Sequence, residues 1–370
     1  MEQKLQEILQ RIDRKLQAEC GRVGEKIPYT TQNGRYETDM RDVNLSWWTN
    51  GFWAGMLWQM YSATGRDLYR KTAEYSEKAM DEALKRFEGL HHDVGFQFLH
   101  TAVADYRLTG NKESRVRALH AATLLAGRFN TACEFIRAWN LDKTGWMIVD
   151  CLMNIPLLYW AGRELQDPRF ADIADLHAHT AMKLLVREDG SCNHIAICDP
   201  ATGELLEIPG GQGYGPGSSW SRGQAWAIYG FALAYRHTGK KEYLDTAKNT
   251  AHYFIANTAL TGFVSVCDFR APREPVYWDT TATACAACGL LEIAGAVPEP
   301  EKALYREAAV KMLTALEERH CDWDEERDSI LQDGTEAYGK EDGTHIPIIY
   351  GDYFFVEGIL RLLEKGFMIW

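Results

Sequence analysis

Two aspartates could take part in acid–base chemistry, and one of them stands where a carboxylate is unexpected. Asp150 lies inside the apolar run Trp146–Met153. Removal from water favours the uncharged form of a carboxyl group, and a second carboxylate nearby strengthens that effect. An uncharged carboxyl group can serve as a general acid near neutral pH. Asp93 is the expected second carboxylate, because Gly95 beside it lets another backbone approach closely. Two carboxylates in an aromatic cleft are the arrangement of a glycosidase.

Aromatic, amide and guanidinium side chains cluster in the stretch Gly211–Gly230, where a glycine-rich loop meets an apolar helix. Aromatic faces beside the fixed donors of an arginine suit a ligand with flat C–H faces and an acidic edge, such as a uronic acid. The alternative is a helix start whose tryptophans pack and whose arginine pairs with a neighbouring acid. The candidate binding residues of this stretch are Gln212, Trp220, Arg222, Gln224 and Trp226.

The histidines and cysteines do not form a recognisable metal motif. His91 and His92 are adjacent and cannot both point at one site from a regular helix, and His177 and His179 diverge on an outer helix. No HExxH, phosphate-binding loop or GxSxG motif occurs. The pair of cysteines in Cys285–Cys288 has no second pair, which favours packing. We therefore expect no metal ion.

The composition excludes several classes of partner. The chain has 370 residues, 46% of them hydrophobic, and a formal net charge of −12 without basic clusters. These features argue against nucleic acid or an anionic membrane as a partner. No signal-peptide pattern or run of membrane-spanning length is present. The nine cysteines are an odd number and indicate free thiols in a reducing compartment, so a cytoplasmic location is expected.

A repeated helical pattern must position these residues. Short breaks containing Thr-Gly or Pro recur at intervals of roughly 59 residues, each between a helix apolar on nearly all sides and an amphipathic helix. Inner helices are predicted to begin near 49, 94, 149, 222, 280 and 351, and outer helices near 68, 113, 169, 242 and 301. A further helix at 2–19 supplies the sixth outer member.

The predicted fold is therefore all-α, an (α/α)6 barrel of six inner and six outer helices in one domain, 1–370. A helical-repeat solenoid is the competing architecture, but the unpaired helix at each end of the chain favours closure. The strand-like pieces Ser191–Cys198 and 262–267 are expected to form hairpins in the connections.

In such a barrel the inner helices run parallel, so their N-terminal ends gather at one face. Helix N-termini are suited to binding an anion. For any single aspartate at these positions, helix capping is the more common role. The unusual residues at the predicted helix starts are Trp48, Asn50, His91, His92, Asp93, Asp150, Arg222, Asp279 and Asp352.

Five segments carry a resemblance that spans nearly the whole chain. They are Trp48–Trp53, His91–Phe96, Ile148–Asn154, Ser219–Trp226 with 228–230, and Gly351–Phe354. In sequence and order they resemble the unsaturated glucuronyl hydrolases, glycoside hydrolase family 88. The resemblance implies an (α/α)6 barrel that uses no metal or organic cofactor.

The resemblance also implies a substrate and a reaction. Such enzymes remove the 4,5-unsaturated uronic acid from the non-reducing end of oligosaccharides made by polysaccharide lyases, by hydration of the vinyl ether. Asp150 is then the general acid and base, and Asp93 holds ring hydroxyls and supports the developing charge. The implied substrate-binding residues are Trp48, Asn50, His92, Trp139, His194, Gln212, Trp220, Arg222, Gln224 and Trp226.

Alternatives remain at the sequence level. An unsaturated rhamnogalacturonyl hydrolase would use the same chemistry on pectin fragments. A sugar epimerase on the same barrel would be expected to use paired histidines facing the cleft, and a non-catalytic sugar-binding barrel would have no use for Asp150. Lys340, in the loop before the last inner helix, could meet a sulfate group, although an exposed loop lysine is the simpler interpretation.

Overall fold

The chain folds into a barrel of alternating inner and outer helices. The computed structural model describes residues 2–370. In chain order the α-helices are α1 Glu2–Val23, α2 Met40–Val43, α3 Phe52–Thr64, α4 Asp67–Arg86, α5 Val94–Phe98, α6 Ala104–Thr109, α7 Lys112–Ala126, α8 Pro156–Leu165, α9 Pro168–Leu185, α10 Ser221–Thr238, α11 Lys241–Ala259, α12 Thr280–Ala296, α13 Glu301–Arg319 and α14 Ile349–Leu362.

Burial separates these helices into two rings, as the sequence predicts. Every residue of α10 from Ser221 to Ala234 is buried, and α3, α12 and α14 are buried almost as completely. In contrast, α1 buries one face, which includes Leu5, Ile12 and Leu16. A helix that is apolar on all sides avoids water only inside the molecule, whereas an amphipathic helix covers it. The inner ring is α3, α5 with α6, α8, α10, α12 and α14.

The inner ring is closed. Along the ring α10 packs against α8 and α12, α12 packs against α14, and α14 packs against α3. The first outer helix, α1, lies against both α4 and α14 and so covers the junction between the last and first inner helices. The prediction of an (α/α)6 barrel is confirmed, and the solenoid alternative is wrong.

Three of the predicted turns share one local conformation. Gly65, Gly110 and Gly239 each follow a threonine at the end of an inner helix and have φ values of 70°, 79° and 70°. A residue with a Cβ is strained in this left-handed region, so glycine ends the helix at low cost. The next outer helix begins two residues later in each case.

Two inner helices are irregular beside the cavity described below. A π-helical turn, Leu99–Val103, joins α5 to α6. The third inner helix was predicted to begin near 149, but Val149–Met153 is a 3-10 helix and α8 begins only at Pro156. Proline has no backbone N–H to donate, so it is accommodated in the first turn of an α-helix and not further in.

In residues 2–370, five short strands lie in the connections. β1 Phe129–Asn130 pairs with β2 Phe135–Ile136, and β3 Trp146–Ile148, β4 Ile195–Cys198 and β5 Leu205–Glu207 form an antiparallel sheet. The strand expected in 191–198 is therefore present as β4. The expected hairpin in 262–267 is wrong, because that segment contributes only an isolated bridge between Val266 and Trp278.

All nine cysteines are unpaired, and only Cys321 is less than fully buried. This agrees with the predicted free thiols. Among residues 2–370, no helix has both the length and the apolar character that a membrane crossing requires.

Candidate active site

A cavity of about 330 Å³ opens where the inner helices begin. Its position confirms that the helix starts gather the unusual side chains at one face of the barrel. Aromatic rings form much of its wall, and both predicted catalytic aspartates face it. The lining residues are Tyr29, Trp47, Trp48, His91, His92, Asp93, Trp139, Ile148, Asp150, Gln212, Trp220, Arg222, Glu336 and Tyr350.

Asp93 lies at the start of α5 in a largely dry environment. Its side chain is 10% exposed, and its Oδ1 accepts a hydrogen bond from Nδ2 of Asn154 at 3.1 Å. Burial is the main cause that raises the pKa of Asp93 to about 6, and the nearby charge of Asp150 adds to the rise. His91, whose Nδ1 is 3.3 Å from Oδ2 of Asp93, acts in the opposite direction.

The tautomer of His92 follows from its hydrogen bonds. Its Nδ1 lies 2.8 Å from the carbonyl oxygen of Ala138, which can only accept, so Nδ1 carries the proton. Burial lowers the pKa of His92 to about 4, which leaves the ring neutral near pH 7. Its unprotonated Nε2 is then 3.2 Å from Oδ1 of Asp93. The pair shares a hydrogen bond when Asp93 holds a proton.

Asp150 faces a histidine of the opposite tautomer. Nδ1 of His194 accepts the backbone N–H of Gln212 at 3.0 Å, so the proton of the neutral ring is on Nε2. That Nε2 lies 3.4 Å from Oδ1 of Asp150. The Asp150 side chain is 13% exposed and faces the cavity, so the apolar run buries its neighbours Val149 and Cys151 more than its own carboxyl group.

One amide joins the two aspartates. Nδ2 of Asn154 donates to Oδ1 of Asp93 and lies 3.3 Å from the backbone oxygen of Asp150, while its Oδ1 accepts the N–H of Phe96 at 2.7 Å. The backbone of Gly95 passes directly over Asn154, where an added Cβ would lie 2.4 Å from its Cα. The close approach predicted at Gly95 is confirmed, and Asn154 is a residue that sequence reasoning did not single out.

The aromatic walls are arranged around an arginine. Trp48 stacks obliquely on Tyr350, with ring centroids 4.8 Å apart. The guanidinium carbon of Arg222 lies 4.6 Å from the centroid of Trp220 and 5.4 Å from that of Tyr350. Such faces and a cation form a surface for a ring with apolar C–H faces and a negative edge.

The comparisons with known proteins agree with this site. The family model for Glycosyl Hydrolase Family 88 matches residues 21–283.

The chain belongs to glycosyl hydrolase family 88.

Among its relatives is the unsaturated glucuronyl hydrolase of Bacillus sp. strain GL1, 39% identical over 328 residues, which are 86% of each chain. The crystal structure of the Bacillus sp. GL1 enzyme superimposes with a TM-score of 0.90, at 36% identity over 96% of each chain. An aspartate-to-asparagine variant of the unsaturated glucuronyl hydrolase of Streptococcus agalactiae, complexed with dGlcA-GalNAc6S, gives a TM-score of 0.86 at 29% identity. That match covers 100% of this chain and 94% of the other.

Membership of family 88 identifies the chain as a glycoside hydrolase. Most of the predicted catalytic and substrate-binding residues lie around the cavity. Trp48, His92, Asp93, Trp139, Asp150, Gln212, Trp220 and Arg222 line it, and His194 lies directly behind Asp150.

Three predicted binding residues do not reach the cavity surface. Asn50 donates to the carbonyls of Asn44 and Leu45 and is fully buried. The amide of Gln224 accepts from Cys192 N and donates to the carbonyls of Gly190 and Thr250. Trp226 is fully buried beneath Trp48 and Phe96. These residues pack and join neighbouring segments beneath the cavity and do not line it, in contrast to the position expected of substrate contacts.

Arg222 lines the cavity, but both terminal nitrogens of its guanidinium group already donate hydrogen bonds within the protein. Nη1 donates to Oδ2 of Asp279 at 2.8 Å and to the carbonyl of Thr335 at 2.6 Å, and Nη2 donates to the carbonyl of Glu336 at 2.6 Å. Arg222 thus fixes the 335–336 loop as well as placing a positive charge in the wall. The sequence alternative, an arginine paired with an acid, is also realised.

Glu336 and Tyr29 are cavity residues that sequence reasoning missed. The hydroxyl of Tyr29 donates to the carboxylate of Glu336, and Lys340 pairs with the same carboxylate. Lys340 is 48% exposed, as expected for a loop lysine, and its ammonium group is held by Glu336 at the cavity rim. Tyr29 and Glu336 are 307 positions apart in sequence, and no local pattern relates them.

The remaining aspartates at helix starts have structural roles. Asp279 caps α12, where Oδ1 accepts the N–H of Ala282 and the hydroxyl of Thr281. Asp352 accepts from Ser329, Ile330 and Leu331 and does not line the cavity.

One group in residues 2–370 brings three potential metal ligands together. The ligand atoms of His91, His92 and Asp93 lie within 4.8 Å of one another. A tetrahedral zinc site usually takes three or four protein ligands with a supporting second shell. Here Nδ1 of His92 donates a hydrogen bond to the carbonyl oxygen of Ala138, and its Nε2 already faces Asp93.

Proposed function

We propose that the chain removes the 4,5-unsaturated uronic acid from the non-reducing end of lyase-generated glycosaminoglycan oligosaccharides, with Asp150 as the proton donor. Two features support this. The chain belongs to family 88, and its relatives are unsaturated glucuronyl and unsaturated chondroitin disaccharide hydrolases. The observation that carries the residue roles is the pair Asp93 and Asp150, joined by Asn154 in an aromatic cavity of about 330 Å³.

The proposed reaction is hydration of a vinyl ether. The electron pair of the C4–C5 double bond takes a proton from Asp150 at C4, which leaves a positive charge shared by C5 and the ring oxygen. Water attacks C5 and returns a proton to Asp150. The hemiketal then opens, the C5–ring oxygen bond breaks to give a ketone at C5, and the hemiacetal at C1 releases the remaining sugar as an alcohol. One water is consumed, and Asp150 acts as both acid and base.

The surrounding residues support each stage of this proposal. Asp93, when ionised, stabilises the positive charge that develops on the sugar ring. The Nε2–H of His194 faces Oδ1 of Asp150 and orients the carboxyl group.

The wall residues fit a ring that is apolar on its faces and anionic at one edge. Trp48, Trp139 and Trp220 offer ring faces, and the cation of Arg222 attracts the carboxylate. Glu336, which faces the same cavity, disfavours a second anionic group close to it. We also propose a cytoplasmic location, on the ground of nine unpaired cysteines.

The ultraviolet absorbance of the substrate's double bond tests the function directly. We expect the purified chain to remove the absorbance of unsaturated disaccharides derived from chondroitin, hyaluronan or heparin. Removal confined to pectin-derived disaccharides would instead identify a rhamnogalacturonyl hydrolase. An epimerase or a binding protein would leave the double bond intact, and that result would overturn the proposal.

A further inference from the structure

The wall of the cavity that carries Trp139 is a thin loop. Trp139 lines the catalytic cavity, whereas Arg137, Asn140 and Leu141 line a second surface cavity of about 1070 Å³. The segment 137–141 therefore lies between two solvent-accessible spaces, and only Ala138 and Trp139 pack against neighbouring apolar residues, among them Ile148 and Trp146. Hydrogen bonds hold the rest of the segment.

Four hydrogen bonds to this segment come from the side chain of Arg128, which follows α7. Its Nε donates to the carbonyl of Arg137 at 3.0 Å, and its Nη2 donates to the carbonyls of Ala138 and Trp139 at 3.0 and 2.8 Å. Its Nη1 donates to Oδ1 of Asn140 at 2.8 Å. The rigid fork of a guanidinium group can satisfy this many acceptors at once, and an ammonium group cannot.

The Ala138 carbonyl connects Arg128 to the catalytic residues. The same oxygen accepts the proton on Nδ1 of His92 at 2.8 Å. This bond orients the His92 ring, whose Nε2 lies 3.2 Å from Asp93. A displacement of the loop would therefore move His92 and Trp139 together.

Arg128 also has no acidic partner of its own. Among residues 2–370 no carboxylate oxygen lies within 4.0 Å of a nitrogen of its guanidinium group. Burial, together with the charge of Arg137, lowers the pKa of Arg128 to about 10, so the group remains charged near neutral pH. Its charge acts on Asp93 and favours the ionised carboxylate.

We propose that Arg128 is a positioning residue of the active site, which holds the Trp139 loop and His92 through backbone carbonyls. This inference rests on the proposed function, because it takes His92 and Asp93 to be part of the catalytic site. Arg128 does not line the catalytic cavity, so its action is indirect.

The sign of the effect of the Arg128 charge on the pKa of Asp93 can be predicted. The ionisable groups that act on Asp93 are His91 and Arg128, which lower its pKa, and Asp150, which raises it; His92 meets the same carboxyl group with a neutral ring. Removal of the Arg128 charge should raise the pKa of Asp93 above about 6 and move the acidic limb of kcat/KM to higher pH.

Arg128→Met and Arg128→Lys separate the effect of losing the guanidinium fork from the effect of losing the positive charge. Arg128→Met loses both the fork and the charge, so we expect kcat/KM at pH 7 to fall about 10- to 100-fold and the acidic limb to move upward. Arg128→Lys keeps the charge, so its acidic limb should stay in place while kcat falls. Arg137→Met is the control for the Ala138 link and for the charge, since Arg137 binds the carbonyls of Trp139 and Leu141 in the same loop but not that of Ala138. Its acidic limb should not move.

A second measurement needs no turnover. The carbon-13 titration of the Asp93 carboxyl group, assigned with Asp93→Asn, should give a higher midpoint in Arg128→Met than in Arg128→Lys. Equal midpoints together with wild-type kcat in both variants would overturn the proposal, as would an acidic limb that moves as far in Arg137→Met as in Arg128→Met. If Arg128→Met does not fold, the kcat of Arg128→Lys relative to the wild type decides whether the guanidinium fork positions the loop. A wild-type chain that leaves the double bond intact would refute the proposed function, while the titration would still report on Arg128.

Discussion

Asp93 and Asp150 face histidines of opposite tautomer. His92 presents an unprotonated Nε2 to Asp93, so it can accept a hydrogen bond from that carboxyl group only when Asp93 holds a proton. His194 presents an Nε2–H to Asp150 and so offers a donor to its carboxyl group. The two aspartates therefore lie beside different kinds of hydrogen-bonding group.

Asp150→Asn should abolish consumption of the double bond and leave substrate binding largely intact. The amide has nearly the size of the carboxyl group, but it cannot release a proton to C4. Loss of a general acid costs about 10²- to 10⁴-fold in rate, and more when the same group also deprotonates water. Absorbance kinetics and calorimetric titration on the same preparation measure the two effects. Activity above about a tenth of wild type would mean that another residue donates the proton.

Asp93 should set the acidic limb of the pH profile. Its pKa is raised to about 6 by burial, so protonation removes its negative charge as the pH falls through about 6. Because the proposed mechanism uses that charge, kcat/KM should decrease below about pH 6 and be constant just above it. Asp93→Asn should be severely impaired, and its residual activity should lack this limb. An acidic limb unchanged in Asp93→Asn would assign it to a different group.

For single residues, the reliable signal of a place at the cavity was a residue type in an unusual sequence context. Asp93, Asp150, Trp48 and Arg222 were predicted because a charge or a large ring stood at a helix start, and all four reach the cavity. Asn50, Gln224 and Trp226 are polar or aromatic residues in the same segments, but their rotation about the helix turns them inward. The partners that decide this rotation, such as Gly190 and Thr250 for Gln224, come from other segments.

At the level of elements, the site depends on the contact between the starts of the second and third inner helices. The 3-10 turn Val149–Met153 places Asn154 under α5, where it binds both Asp93 and Phe96 N. The sequence predicted the helix order from turns and amphipathicity, because those signals are local. It did not predict the 3-10 turn or the absence of a strand in 262–267, since both follow from packing against distant segments.

Gly95→Ala tests this contact. The new Cβ would lie 2.4 Å from both Cα and the carbonyl oxygen of Asn154, and neither backbone atom can yield without moving the turn. We expect kcat to fall about 100-fold and the free energy of unfolding to fall by about 1–3 kcal/mol. Gly21→Ala is the control, because its Cβ would meet nothing within 4 Å. Wild-type kcat in Gly95→Ala would show that the spacing between α5 and Asn154 is not critical.

For the whole molecule, α1 is the helix that completes the barrel. It packs against α4 and α14, and its inward face carries Lys15 and Glu19, both fully buried, besides its apolar residues. Ion pairs from Arg11 to Glu317 and from Arg22 to Asp328 join α1 to segments about 300 residues away. We propose on this ground that residues 1–370 behave as one catalytic domain, with its first and last helices interdependent. The sequence predicted this closure only by counting helices, because the joining contacts are long-range.

Glu19→Gln should make the folded state more stable near neutral pH. Both carboxyl oxygens of Glu19 are buried without a hydrogen-bond partner, and burial, reinforced by Asp352, raises its pKa well above the ordinary value, although Lys15 acts in the opposite direction. A raised pKa in the folded state means that stability is lost as the pH rises above the unfolded value of about 4.3. The uncharged amide removes this loss, by about 1–3 kcal/mol at pH 7, and changes little near pH 4.

Denaturant unfolding of wild type, Glu19→Gln and the exposed control Glu7→Gln, at pH 4 and pH 7, measures the effect. The stability difference between wild type and Glu19→Gln should appear only at the higher pH, and Glu7→Gln should follow the wild type at both. A Glu19→Gln variant that is less stable than wild type at pH 7 would show that Glu19 is ionised in the fold and paired with Lys15. In that case the closure of the barrel by α1 would depend on a buried ion pair.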